Sequence, residues 1–208
     1  MEARTSAPDA VGGPGLSLED GAAPGIAAAA EQQARTRQRV RRRWAVFFGL
    51  AGVIVLADQL TKLWVDAHFE EAWTSAPIAG LAPPTPIIDD VVRIAKIYND
   101  GGLFGLFGAS APVLALASVI VIGLIVLYQA RTSAGAPFLL TVALGLLLGG
   151  AVGNFLDRLR LGAVIDFVDT GIGQTRWYTF NVADAALSVA IVGLIVLAFL
   201  GDRLEKDA

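Results

Sequence analysis

Asp157 and Asp184 stand at the facing ends of two consecutive apolar segments. One segment closes on Gly153-Asn154-Phe155-Leu156-Asp157-Arg158, and the next opens on Phe180-Asn181-Val182-Ala183-Asp184. A carboxylate at the margin of hydrocarbon is costly, so its presence points to function. Two carboxylates brought together titrate apart, one ionised and one protonated. Such a dyad can activate a water with one member and protonate a carbonyl oxygen with the other, which is hydrolytic chemistry. Each acid also has a plain structural reading. Asp157-Arg158 can mark the water interface, and Asn181 with Asp184 resembles a capping box that complements the helix dipole.

Further polar groups recur near the same boundary. Asp58-Gln59-Leu60-Thr61-Lys62 sets an acid and a base four apart on one helix face, in the favourable order for an ion pair. Its role is either self-neutralisation within an apolar span or support for the site. Tyr98-Asn99-Asp100-Gly101-Gly102-Leu103-Phe104 reads as a tight turn leading into a segment lying in the interface. The other reading is a clamp in which Asn99 hydrogen-bonds an extended peptide. Asp166-Phe167-Val168-Asp169 reads as a strand with both acids on one face. His68 is the only histidine and cysteine is absent, so neither a metal site nor a thiol or Ser-His-Asp mechanism is expected.

Several elements must position these groups. Gly145, Gly149 and Gly153 repeat at a spacing of four, a stripe that lets a neighbouring helix approach closely. Asp157 continues that stripe, so it is aimed at a packed helix and not at lipid. The chain has 208 residues, 55% of them hydrophobic, and a mean hydropathy of +0.61, more apolar than a soluble domain of this length. The apolar residues form blocks of about 20, the length of a bilayer crossing. We expect an all-α integral membrane protein with spans at about 44–65, 112–130, 137–156 and 182–200. Short β-rich stretches at 91–98, 163–168 and 175–180 point to a small β platform on the outer face. Residues 1–33, rich in Ala, Gly and Pro, read as a disordered stretch. Together with the basic block that follows they form a tail, 1–43; a short tail, 201–208, closes the chain. Arg35, Arg37, Arg39, Arg41, Arg42 and Arg43 place the N-terminus in the cytoplasm by the positive-inside rule. With four spans the C-terminus returns there, and the polar motifs face outward. A net charge of −3 gives no reason to expect a nucleic-acid partner.

Taken together, these motifs resemble the bacterial lipoprotein signal peptidases (signal peptidase II), four-span aspartyl proteases of the cytoplasmic membrane. The likeness covers about 44–200 and rests on Asp58-Gln59-x-Thr61-Lys62, the Asn99 loop, Gly153-Asn154-x-x-Asp157-Arg158, Val164-x-Asp166-Phe167-x-Asp169 and Phe180-Asn181-x-Ala183-Asp184. It implies Asp157 and Asp184 as the catalytic pair. It also implies supporting or substrate-binding roles for Asp58, Lys62, Asn99, Gly101, Asn154, Arg158, Asp166 and Asn181. The implied substrates are diacylglyceryl-modified prolipoproteins, cut just before the lipidated cysteine in contact with membrane lipid, with no cofactor. The loop departs from the family's usual Asn-x-Gly-Ala-Ala-Phe at Gly102-Leu103, and Thr179 stands where a Pro is common nearby. An ion or proton transporter would want its acids near the bilayer midplane, and an inactive scaffold would not need both aspartates.

Overall fold

A computed structural model describes residues 19–101 and 111–204. Two compact units divide the chain, 1–38 and 39–208. In order, the elements are α1 (Glu19–His68), β1 (Thr85–Ile88), β2 (Val92–Asn99), α2 (Ala111–Thr132), α3 (Phe138–Leu161), β3 (Val164–Ile172), β4 (Thr175–Arg176) and α4 (Val182–Leu204). All four helices contain stretches long and apolar enough to cross a membrane. Residues 19–33, expected to be disordered, are helical. The run Ala27–Ala30 has the highest helix propensity available, and Arg35 pairs with Glu31 one turn away. The interfacial segment expected at 102–110 and the end of the C-terminal tail, 205–208, lie outside the described residues.

The glycine stripe of α3 sets how closely α1 packs. A methyl group added at Gly145 would lie 3.0 Å from the Phe47 carbonyl oxygen, and one at Gly149 would lie 3.0 Å from that of Ala51. At Gly153 it would meet Asp58 Oδ2 at 2.7 Å. Below this seam, Phe47, Ala51, Ile125, Leu144 and Leu148 form a buried apolar core. α3 presents a second glycine to α4: a methyl at Gly150 would be 2.6 Å from the Ala183 carbonyl oxygen and 2.6 Å from Leu187 Cγ. A backbone oxygen cannot retreat without parting the helices. We therefore expect Gly150→Ala to cost about 1–3 kcal/mol, as other overpacked contacts do. Gly193→Ala, whose methyl would find Ala143 Cβ at a comfortable 3.8 Å, should leave the protein at least as stable. Thermal unfolding of both variants in one detergent checks this.

β1 to β4 form one antiparallel sheet in sequence order. The edge strand β1 escaped the sequence reading because Pro86 and its proline-rich lead-in do not look like a strand; an edge position tolerates them. β2 pairs with β3 through Ile97↔Asp166 and Asn99↔Val164, with a register shift between Ile94 and Ile97. β4 is shorter than the expected stretch, and Phe180 rejoins β3 through a single bridge to Val168. Asp166 and Asp169 do not share a face. Three strand steps put them on opposite sides, and they take different partners. Asp169, fully buried, is held by Arg93 Nε at 2.7 Å and Arg176 Nε at 3.1 Å, which clamps β3 from both neighbouring strands.

Candidate active site

The helix α3 runs five residues further than expected, to a C-cap at Gly162 in left-handed conformation (φ 72°), whose N–H bonds the Arg158 carbonyl oxygen. Asp157 is therefore one turn inside the helix and fully buried. The stripe aims it at α1, where Lys62 waits. Lys62 Nζ lies 2.8 Å from Asp58 Oδ2, 2.9 Å from Asp157 Oδ2 and 3.0 Å from Asn154 Oδ1, with no solvent exposure. Gln59 Nε2 donates to Asp157 Oδ1 at 3.0 Å, and the Ile165 backbone N–H donates to Asp157 Oδ2 at 3.2 Å. Both oxygens of Asp157 are thus engaged. Asp58 Oδ1 in turn accepts the Ala183 N–H at 2.9 Å, in the first turn of α4. The Asp58–Lys62–Asp157 triad ties α1, α3, β3 and α4 together.

Asp184 occupies a different setting. Asn181 Oδ1 accepts the Asp184 N–H at 2.9 Å, while Asp184 Oδ2 accepts the Asn181 N–H at 3.3 Å. This is the reciprocal capping geometry foreseen at the start of α4. Asn154 Nδ2 donates to Asp184 Oδ1 at 2.8 Å. The side chain is only part-buried. Asn181 also turns its own Nδ2 to Asp166 Oδ1 at 2.7 Å and to Asn154 Oδ1 at 3.1 Å. One residue therefore bridges Asp166 and Asp184. Asn99 Nδ2, at the end of β2, donates to Asp166 Oδ2 at 2.9 Å.

The fold thus gathers Asp58, Lys62, Asn99, Asn154, Asp157, Asp166, Asn181 and Asp184 into one connected network. Arg158 hydrogen-bonds the network through the Asn154 carbonyl oxygen at 3.3 Å. Gly101 is buried just beyond Asn99, and the loop after it lies outside the described residues. Within the network the acids take different partners. Among the described residues Asp157 makes no direct hydrogen bond to Asp184 and is linked to it through Lys62 and Asn154 and through Ile165 and Asn181. Asp166 is the carboxyl on which the charge of Asp184 bears. The sequence reading missed two groups, the Gln59 side chain and the Ile165 backbone N–H. Gln59 was visible inside the first-span motif; the N–H had no signal, because it depends on where β3 begins.

Burial, and then the negative charge of Asp184, push the Asp166 carboxyl up to about 7, against hydrogen bonds from Asn99 and Asn181 that pull it down. A carboxyl raised in the folded state stabilises that state fully below its unfolded value near 3.8, and the advantage is lost as pH rises towards about 7. Stability should therefore fall across that window, and Asp166→Asn should flatten the slope. Denaturant titrations at pH 4.5, 6 and 7.5 measure it (roughly the lower, middle and upper parts of the window). An unchanged slope in the variant would exclude Asp166 as its source.

A helical membrane bundle that concentrates its carboxylates at one end, under a small sheet, defines a membrane protein with a polar site at its margin. Two solved structures described as bacterial membrane enzymes share this fold. One superposes with a TM-score of 0.64 at 26% identity over 77% of this chain and 90% of that one, and the other with a TM-score of 0.61 at 25% identity over 73% and 91%. Residues 50–200 match the family described as signal peptidase (SPase) II. Among its relatives are the lipoprotein signal peptidases of Syntrophus aciditrophicus, 38% identical over 78% of this chain and 94% of that one, and of Geobacillus kaustophilus, 36% identical over 77% and 97%. The chain belongs to the signal peptidase II family and is a peptidase.

Proposed function

We propose that this peptidase removes signal peptides from diacylglyceryl-modified prolipoproteins by an aspartate mechanism, with Asp166 and Asp184 as the acting pair. Asp157 then belongs to the framework that holds them. The observation that carries this reading is the shared Asn181, which binds Asp166 by its side chain and Asp184 by its backbone. Asp157, by contrast, is fully buried and ion-paired with Lys62 Nζ at 2.9 Å, while neither Asp166 nor Asp184 has an ion pair among the described residues.

In this reading a water sits between the two carboxyls. The ionised member takes a proton from it as the oxygen attacks the scissile carbonyl carbon. The protonated member gives its proton to the carbonyl oxygen, forming a neutral tetrahedral intermediate. The intermediate collapses, the C–N bond breaks, and a proton passes to the leaving amine. The pair shares one proton throughout, so the acid and base roles belong to the pair and not to either residue. Asn99, Asn154 and Asn181 hold the carboxyls in place, and Asn99 with Gly101 lies where an extended substrate would enter. Four spans put both termini on one side, and the arginine block within α1 supports a cytoplasmic location for that side by the positive-inside rule. The aspartates then face the outer leaflet, where a lipidated cysteine sits.

The test uses the purified full chain in liposomes with a prolipoprotein peptide, lipidated or not. We expect release of the signal peptide only from the lipidated form. Equal cleavage of the unlipidated form would remove the substrate assignment while leaving the peptidase intact.

A further inference from the structure

Acidic residues concentrate at one end of the bundle. Between residues 39 and 199 every aspartate and glutamate, from Asp58 to Asp184, belongs to the sheet end. The opposite end holds Arg39, Arg41, Arg42, Arg43 and Arg131, and α4 ends there with Asp202 and Arg203. Arg42 lies over the Phe138 ring at 5.7 Å, which places the α1 arginines beside the start of α3. At this same end a cavity of about 470 Å³ opens between α2, α3 and α4. Leu124, Tyr128 and Arg131 line it from α2, Leu140 and Leu144 from α3, and Leu194 from α4. Its walls are otherwise apolar. Arg131 is exposed and makes no hydrogen bond or ion pair among the described residues.

We propose that this groove binds an anionic phospholipid, one acyl chain lying along the leucines and the headgroup phosphate on Arg131. In a bilayer such a groove must be filled by something apolar and elongated. Leu124 to Arg131 covers roughly 10 Å of helix, so a chain lying there brings its headgroup to the last turn of α2. A guanidinium with no carboxylate partner among the described residues can meet a phosphate in bidentate fashion. The surrounding arginines add a field that excludes cationic headgroups and favours net negative ones. The site lies roughly 20 Å from the aspartates, counted along α1 from Arg43 to Asp58, and is independent of the catalytic assignment.

Native mass spectrometry of the full chain, released from detergent holding equal phosphatidylglycerol and phosphatidylcholine, tests the proposal. The wild type should retain phosphatidylglycerol in about fivefold preference, the worth of one interfacial arginine. Arg131→Gln should lose the preference while still retaining lipid. Leu194→Trp, which fills the groove, should lose retention of both lipids. Inorganic phosphate at millimolar concentration should not displace the lipid. Equal retention of the two lipids by the wild type, or an unchanged preference in Arg131→Gln, would overturn the proposal. So would displacement by phosphate, which would assign the arginine to a free anion.

Discussion

Asp166→Asn and Asp184→Asn are each expected to lower cleavage of a lipidated prolipoprotein by roughly 10²–10⁴-fold, the usual worth of a general acid or base. Stability should change little. Asn fills the volume of Asp, and the cost is about one hydrogen bond, or about 1 kcal/mol, since one donor then meets an amide nitrogen, from Asn99 or Asn181 at position 166 and from Asn154 or Asn181 at position 184. The double variant should be no worse than either single one, because residues that act as a unit are not additive. Single-turnover cleavage with unfolding curves from the same preparations reads both quantities. Full activity in either variant would remove the pair.

The second large effect concerns the framework. Lys62→Met should destabilise the protein by about 3–5 kcal/mol, because it leaves Asp58 and Asp157 buried without their cation. The loss should be partly recovered by adding Asp157→Asn, since that removes one of the two buried charges Lys62 had neutralised, Arg160 at 3.7 Å being the other cation near Asp157. Such recovery is the signature of direct coupling within the triad. If the double variant is as unstable as the sum of the singles, Lys62 and Asp157 are not energetically paired. Thermal unfolding of the four proteins completes the cycle.

Much of this arrangement was legible in the residues. The blocks of apolar sequence located all four helices, and the spacing of Gly145, Gly149 and Gly153 foretold the close seam. The Asn181–Asp184 cap was readable from three residues' separation. What was not legible was which partners each acid takes. The stripe aimed Asp157 at a neighbouring helix, and Lys62 was known to share a face with Asp58. Only the register of α1 against α3 puts Lys62 opposite Asp157 and gives that acid an ion-pair partner. Asp166 was read as one of two acids on a shared strand face. The period of the strand separates it from Asp169, and the return of the chain at Phe180 carries Asn181 to it. These facts depend on pairing between distant segments, which local spacing does not encode.

The most direct measurement compares Asp157→Asn with Asp166→Asn in one lipidated-substrate assay, expressed per folded molecule. Activity of Asp157→Asn should track its folded fraction, so that the protein remaining folded still cleaves. Asp166→Asn should be folded and inactive. The reverse outcome, a folded and inactive Asp157→Asn beside an active Asp166→Asn, would contradict the assignment and return Asp157 to the catalytic pair.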